Sequence, residues 1–130
     1  MRSRQRPAAR QGPSALEKAR MAEAALAAKR AVDPVLLDMR EITLITDYFL
    51  ICHGTSNVHI RALGQAVVEA LKESGVKPLG VEGRQAARWV LLDYGDVIVH
   101  IFAEEEREFY SLERLWGDAP RMPSEAVAAT

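Results

Sequence analysis

Two aspartates, Asp93 and Asp96, stand three residues apart around Tyr94-Gly95, and paired carboxylates are hard oxygen donors that could share a divalent cation. Two donors are too few for a site. Aspartate also favours turns, because its carboxylate accepts hydrogen bonds from nearby backbone amides, and a turn is the expected role here. Gly54-Thr55-Ser56 precedes a helical pattern, where free backbone N–H groups could hold a phosphate. It lacks the glycine spacing and the lysine of a phosphate loop, so a helix cap is expected instead. His53, His59 and His100 have no metal-ligand spacing, and Cys52 is the sole cysteine; an internal disulfide is excluded and a small buried strand residue expected. No Ser-His-Asp or Cys-His set can be assembled from spacing alone. The expectation is a protein that is not an enzyme and holds no metal or other cofactor. What remains is a group of aromatic and polar side chains late in the chain, Trp89, Tyr94, His100, Phe109, Tyr110 and Trp116. Such residues are enriched at protein interfaces and are equally at home in cores. Tyr110 falls off the apolar stripe of Phe109, Leu112 and Trp116, which directs it toward the surface.

Most of these residues lie on or beside one stretch, Trp89 to Phe102 (WVLLDYGDVIVHIF), the densest apolar run in the chain. Its two halves, rich in Val, Leu and Ile, flank Asp93-Tyr94-Gly95-Asp96, the composition of a β-hairpin. A type I turn followed by Gly95 in a left-handed bulge would demand positive φ only of glycine. With that turn, Trp89, Leu91, Val97, Val99 and Ile101 share one face, and Val90, Leu92, Ile98, His100 and Phe102 the other. Both faces are largely apolar, so the hairpin needs cover on both sides. An α/β sandwich follows.

The remaining elements can be placed around that hairpin. Ser14 and Glu17 form a capping box ahead of an Ala-rich helix to about Arg30, ended by Asp33-Pro34. Val35 to Met39 and Tyr48 to His53 read as strands. A helix from about Asn57 to Ser74 carries Ile60, Leu63, Val67 and Leu71 at helical spacing and stops at Gly75. A short strand over Leu79 to Glu82 precedes the hairpin, and a last helix follows Glu104 to Glu108 and ends at Gly117. Residues 1–13 are expected to be a disordered basic tail, 14–120 one domain, and 121–130 a flexible carboxyl tail.

At 130 residues and 48% apolar composition the chain has the size of one domain with a proper core. No apolar stretch approaches the roughly 18 residues of a membrane span, and the amino end lacks the apolar middle of a secretory signal. A cytoplasmic protein with no membrane contact is expected. Residues 1–30 carry a net +6 and residues 31–130 a net −7. The acidic body disfavours phosphate backbones and favours a basic partner, leaving only the amino tail for nucleic acid.

The segments DYFLICHGTSNVHIRALG (Asp47 to Gly64), VKPLGVEG (Val76 to Gly83), RWVLLDYGDVIVHIF (Arg88 to Phe102) and REFYSLERLWGDAP (Arg107 to Pro120) together resemble the ribosomal silencing factor family, also called RsfS or Iojap. The resemblance is collinear over about residues 15 to 120. It implies a mixed β-sheet with helices on both faces in a nucleotidyltransferase-like fold, without paired catalytic acids or known enzyme activity. In keeping with this, no Asp-x-Asp pair follows Gly54-Thr55-Ser56. The resemblance further implies binding to the large ribosomal subunit through ribosomal protein uL14, a steric block of association with the small subunit, and repression of translation under nutrient limitation. The acidic body suits such a partner. Trp89 matches the family's interface tryptophan, and Asp93, Tyr94, Asp96, His100, Arg107 and Tyr110 fall in its most characteristic motifs. These seven are carried over as protein-binding residues. The Arg-rich amino tail departs from the family pattern and is a candidate for contact with ribosomal RNA. A homodimer of the free protein, which some members form, is left open. The competing reading is a nucleotidyltransferase-like enzyme using Asp93 and Asp96.

Overall fold

The computed structural model describes residues 12–124, so residues 1–11 of the expected basic tail and residues 125–130 of the expected carboxyl tail lie outside the described residues. Ser14 opens α1 (Ala15–Ala28). Its hydroxyl accepts from the Glu17 amide at 3.1 Å, and the Glu17 carboxylate accepts from the Ser14 amide at 2.8 Å, the reciprocal pair expected from the sequence. The helix ends before Asp33-Pro34. Arg30 takes a left-handed φ of 63° and the Ala31 amide donates back to the Leu26 carbonyl, which wraps the last turn closed. Strand β1 (Val32–Asp38) therefore begins earlier than proline suggests, with Asp33 (φ 48°) and Pro34 absorbed in a bulge because proline cannot donate into the ladder.

β2 (Tyr48–Gly54) leads through the Ser56 cap into α2 (Asn57–Glu73); the Ser56 hydroxyl accepts from the His59 amide at 3.0 Å, so the expected cap is present. β3 (Gly80–Glu82), β4 (Trp89–Asp93) and β5 (Val97–Ala103) follow, then α3 (Glu104–Tyr110), α4 (Leu112–Leu115) and β6 (Arg121–Met122). The strands form one mixed sheet in the order β3-β4-β5-β2-β1-β6, in which β2 and β5 are parallel and the other pairs antiparallel. Helices lie on both faces of this α/β sheet. α1 and α2 press Ala19, Leu26, Ile60, Leu63, Val67 and Leu71 onto Leu50, Val90, Leu92, Val99 and Ile101. The opposite face carries a smaller core of Leu37, Met39, Phe49, Ile51, Phe102, Leu112 and Ala119.

Three expectations are corrected. The hairpin pairs Asp93 with Ile98 and Trp89 with Phe102 without a register break, so its loop is Gly95-Asp96 with Gly95 alone at positive φ, 85°, and no bulge. Removing that extra residue inverts the parity across the turn. Trp89 and Leu91 share a face with Ile98, His100 and Phe102, while Val90 and Leu92 join Val97, Val99 and Ile101 under the helices. The last helix is two helices, because Ser111 takes a left-handed φ of 47° between α3 and α4; Phe109 and Leu115 are thereby exposed, and Leu112 is buried. The carboxyl tail does not begin at residue 121, since β6 pairs Arg121 and Met122 with Leu37 and Leu36 of β1.

Gly83 governs the entry into β4. It has φ 86°, and a Cβ added there would overlap the Trp89 carbonyl, whereas Gly75 at φ 80° ends α2 with open space around it. Gly83→Ala is therefore expected to destabilise the fold by about 3 kcal/mol or more and Gly75→Ala by about 1 kcal/mol. Urea denaturation of both variants measures the difference, and equal losses would contradict the close approach at Gly83.

Candidate protein-binding site

The two faces of the sheet are covered unequally. α1 and α2 span one face, whereas α3, α4 and the chain up to Pro120 cover only part of the other. At the β4 end the cover stops: Trp89, Leu91, Asp93 and Ile98 are half-buried, while Val90, Leu92, Val97 and Val99 on the reverse side are buried. Trp89 lies on Phe102 with ring centroids 4.8 Å apart and against Tyr110 at 4.7 Å. Phe109 stands edge-on to Tyr110 at 5.0 Å, and the two rings are 79% and 47% exposed. Trp89, Leu91, Phe109 and Tyr110 thus make one aromatic and aliphatic surface open to solvent, the kind of patch that marks an interaction site. Its rim is charged. Arg88 bonds Glu106 at 2.7 Å and Glu105 at 3.1 Å, and Glu108 is exposed on the same short helix.

The seven carried-over residues do not form one surface. Trp89, His100 and Tyr110 are brought together, and alternation along β4 places Asp93 on the face of Trp89. Its Oδ1 accepts from the Gly95 amide at 2.8 Å, the expected turn role. Tyr94 turns the other way: it is buried in the core beneath the helices, its hydroxyl has no hydrogen-bond partner among the described residues, and burial pushes the phenol up to about 12. Asp96 pairs with Lys18 of α1 at 2.8 Å. The two aspartates are therefore committed to different partners. Arg107 is buried and lies under α3, where it donates to the carbonyls of Val32 (3.1 Å) and Asp33 (2.8 Å), to His53 Nδ1 (3.0 Å) and to Glu113 (2.7 Å). It closes the carbonyls released by the β1 bulge. Burial works to raise the Glu113 carboxyl, and the Arg107 guanidinium overrides it and holds it below the usual range. Leu91, Ile98 and Phe102, absent from the carried-over set, belong to the open face. Correct hairpin parity would have placed Ile98 and Phe102 beside Trp89, and Leu91 shares the Trp89 face in any register.

The other chemistry-bearing residues are structural. His59 accepts from the Thr55 amide at Nδ1 (2.9 Å), which leaves Nε2–H to donate to the Lys29 carbonyl at 2.8 Å, so it ties the β2–α2 turn to the end of α1. Cys52 is fully buried and burial pushes its thiol up to about 12, which makes it inert. Burial first, and then the Arg107 charge, lowers the His53 imidazole and keeps it neutral. Among the described residues no three His, Cys, Asp or Glu are grouped to hold a metal, and no helix is long and apolar enough to cross a membrane.

The family described as "Ribosomal silencing factor during starvation" matches residues 12–130. The ribosomal silencing factor RsfS of Bacillus subtilis (strain 168) is 48% identical over 101 residues, covering 78% of this chain and 86% of that protein. A crystal structure of a Chromobacterium violaceum protein superimposes with a TM-score of 0.79 at 35% identity, covering 86% of this chain and 92% of the other. A more distant relative is the mouse "Mitochondrial assembly of ribosomal large subunit protein 1", 36% identical over 74 residues, which cover 55% of this chain and 32% of that protein. With one family matching from the Ser14 cap through β6, and with a bacterial relative nearly half identical over 78% of this chain, the chain belongs to the ribosomal silencing factor (RsfS) family.

Proposed function

We propose that this protein binds the large ribosomal subunit through ribosomal protein uL14 and, by occupying that surface, keeps the small subunit from joining, which represses translation when nutrients are limiting. The observation that carries the reading is the open half of the sheet, where Trp89 and Tyr110 lie 4.7 Å apart beside the exposed Phe109. An aromatic centre with a polar rim is the anatomy of a binding surface. The rim and the body are acidic, which favours a basic ribosomal protein as partner and speeds encounter with it. The mouse relative's name also speaks of the large subunit. The action is steric and calls on no chemistry of the protein; Asp93 and Asp96, the acids a nucleotidyltransferase-like reading would use, are engaged with Gly95 and Lys18 respectively. The site of action is the cytoplasm. A homodimer of the free protein through the same apolar face would compete with the ribosome for it, and the Arg-rich amino tail would add contact with ribosomal RNA.

Three measurements test this. The purified protein is expected to co-sediment with large subunits and not with small ones, and its prior addition to reduce formation of complete ribosomes; undiminished joining at saturating protein would overturn the steric reading. Trp89→Ala is expected to cost at least about 2 kcal/mol of large-subunit binding. Because the indole is only half-buried, it should cost less than the about 3 to 5 kcal/mol of fold stability that a core aromatic would. Affinity and urea denaturation of the same variant separate the two effects, and normal affinity of the folded fraction would remove Trp89 as an anchor. Removing residues 1–11, which include four arginines, should leave the Ser14 capping box and the melting temperature in place. If those arginines meet phosphates, the truncation should weaken binding and flatten its salt dependence.

A further inference from the structure

The indole N–H of Trp89 donates to His100 Nδ1 at 3.2 Å. An indole nitrogen can only donate, so Nδ1 must be the accepting nitrogen and the imidazole proton sits on Nε2. That Nε2–H is buried and has no partner among the described residues, a condition that costs free energy and calls for a reason. The ring itself is held tightly. It is 4% exposed, meets Phe49 edge-on at 4.7 Å, and lies parallel to Phe102 within 10° at 6.2 Å. Directly across the ladder from Leu91, it sits in the floor of the open face. His100 is therefore nearly closed to a partner, and its hydrogen bond goes to Trp89, which is open to one.

We propose that His100 is a positioning residue: it does not contact the ribosome, and its Nδ1 holds the Trp89 indole in the orientation that docking uses. This rests on the large-subunit reading above. Without the bond, Trp89 would keep its stacking on Phe102 and Tyr110 while its indole was free to turn about its side-chain torsions, and that freedom would be lost again on binding. A fixed acceptor beneath the anchor removes the loss in advance. Burial, which pushes the imidazole down to about 4, keeps Nδ1 an acceptor throughout the neutral range. The orphaned Nε2–H is the cost of placing an acceptor there, since a leucine of similar size would fill the floor without one.

Stability and binding are then expected to move in different directions. His100→Leu removes the acceptor and the orphaned donor together, so the melting temperature should be unchanged or higher, while affinity for purified large subunits falls about 5-fold, as expected for about 1 kcal/mol of one neutral hydrogen bond. His100→Asn keeps an acceptor oxygen near the Nδ1 position and should hold affinity within about 2-fold of wild type. In the free protein, the Trp89 indole N–H resonance, assigned with Trp116→Phe, should shift and exchange faster in His100→Leu and return toward its wild-type position in His100→Asn. In a Trp89→Phe background, which has no donor, His100→Leu should add nothing. Equal binding of wild type and a well-folded His100→Leu, or an unmoved indole resonance, would overturn the proposal alone. Should His100→Leu fail to fold, His100→Asn decides it: an affinity as low as that of Trp89→Phe would overturn the proposal, and wild-type affinity would support it. A wild-type protein that does not bind large subunits overturns the large-subunit reading, and the docking role of His100 with it.

Discussion

The parallel ladder between β2 and β5, running from Tyr48 beside Val97 to Gly54 beside Ala103, constrains the rest of the molecule. Parallel strands cannot be joined by a tight turn. The chain therefore leaves β2 through α2 and returns by way of β3 and β4, which brings the second strand of the hairpin into the centre of the sheet. Every residue of β2 is buried, because it has neighbours on both edges and cover on both faces. The cover on one face is two long helices. On the other it is a seven-residue helix, a four-residue helix and the chain that follows them to Pro120, too little to cover β4. The open patch around Trp89 is thus a consequence of how the sheet is covered, with no special distortion of the sheet required.

Beyond its small apolar core, that thin layer is tied together by Arg107. Arg107 has its guanidinium spread between the β1 bulge, His53 at the end of β2 and Glu113 of α4. Charge-assisted bonds of this kind are roughly twice as strong as neutral ones, and a buried guanidinium left without them would be strongly destabilising. Two non-glycine residues at positive φ, Asp33 and Ser111, lie at the ends of the segments it joins. Their strain persists because the arginine and its partners determine both segments at once.

Much of this was legible in the residues, and the failures have definite causes. The Ser14 capping box and the α2 stripe are local patterns, decided within four residues, and both stand as read. The hairpin was legible in the alternation of Val, Leu and Ile, but its parity depends on whether the loop holds one residue more or fewer, and Asp-Tyr-Gly-Asp is compatible with either. That single residue decides whether Ile98, His100 and Phe102 lie on the face of Trp89 and Leu91 or on the opposite one. The break at Ser111 was hidden because Phe109, Leu112 and Trp116 keep helical spacing across it; only the tertiary demand of Arg107 and Glu113 reveals it. β6 has two residues and no periodicity to read. The stripe of Phe109, Leu112 and Trp116 directs Tyr110 outward, whereas Tyr94 in its turn carries no such signal, and only the fold shows that it is buried beneath α1 and α2 while Tyr110 stands against Trp89.

The two halves of the aromatic patch are supported in different ways. Trp89 belongs to a strand paired on both sides, with β3 and β5 as neighbours, and its ring rests on Phe102, which is itself fully buried. Tyr110 ends a seven-residue helix too short to hold itself in water, and its place depends on Arg107 one turn earlier in that helix. Local opening should therefore start at α3 and spare β4. The acidic first turn of α3 works against such opening by complementing the helix dipole, and the Arg88 contacts to Glu105 and Glu106 fasten that turn to the residue next to Trp89. These contacts are solvent-exposed and individually weak. A partner that closed over the patch would exclude water from them and strengthen them, so docking and the ordering of α3 would reinforce each other.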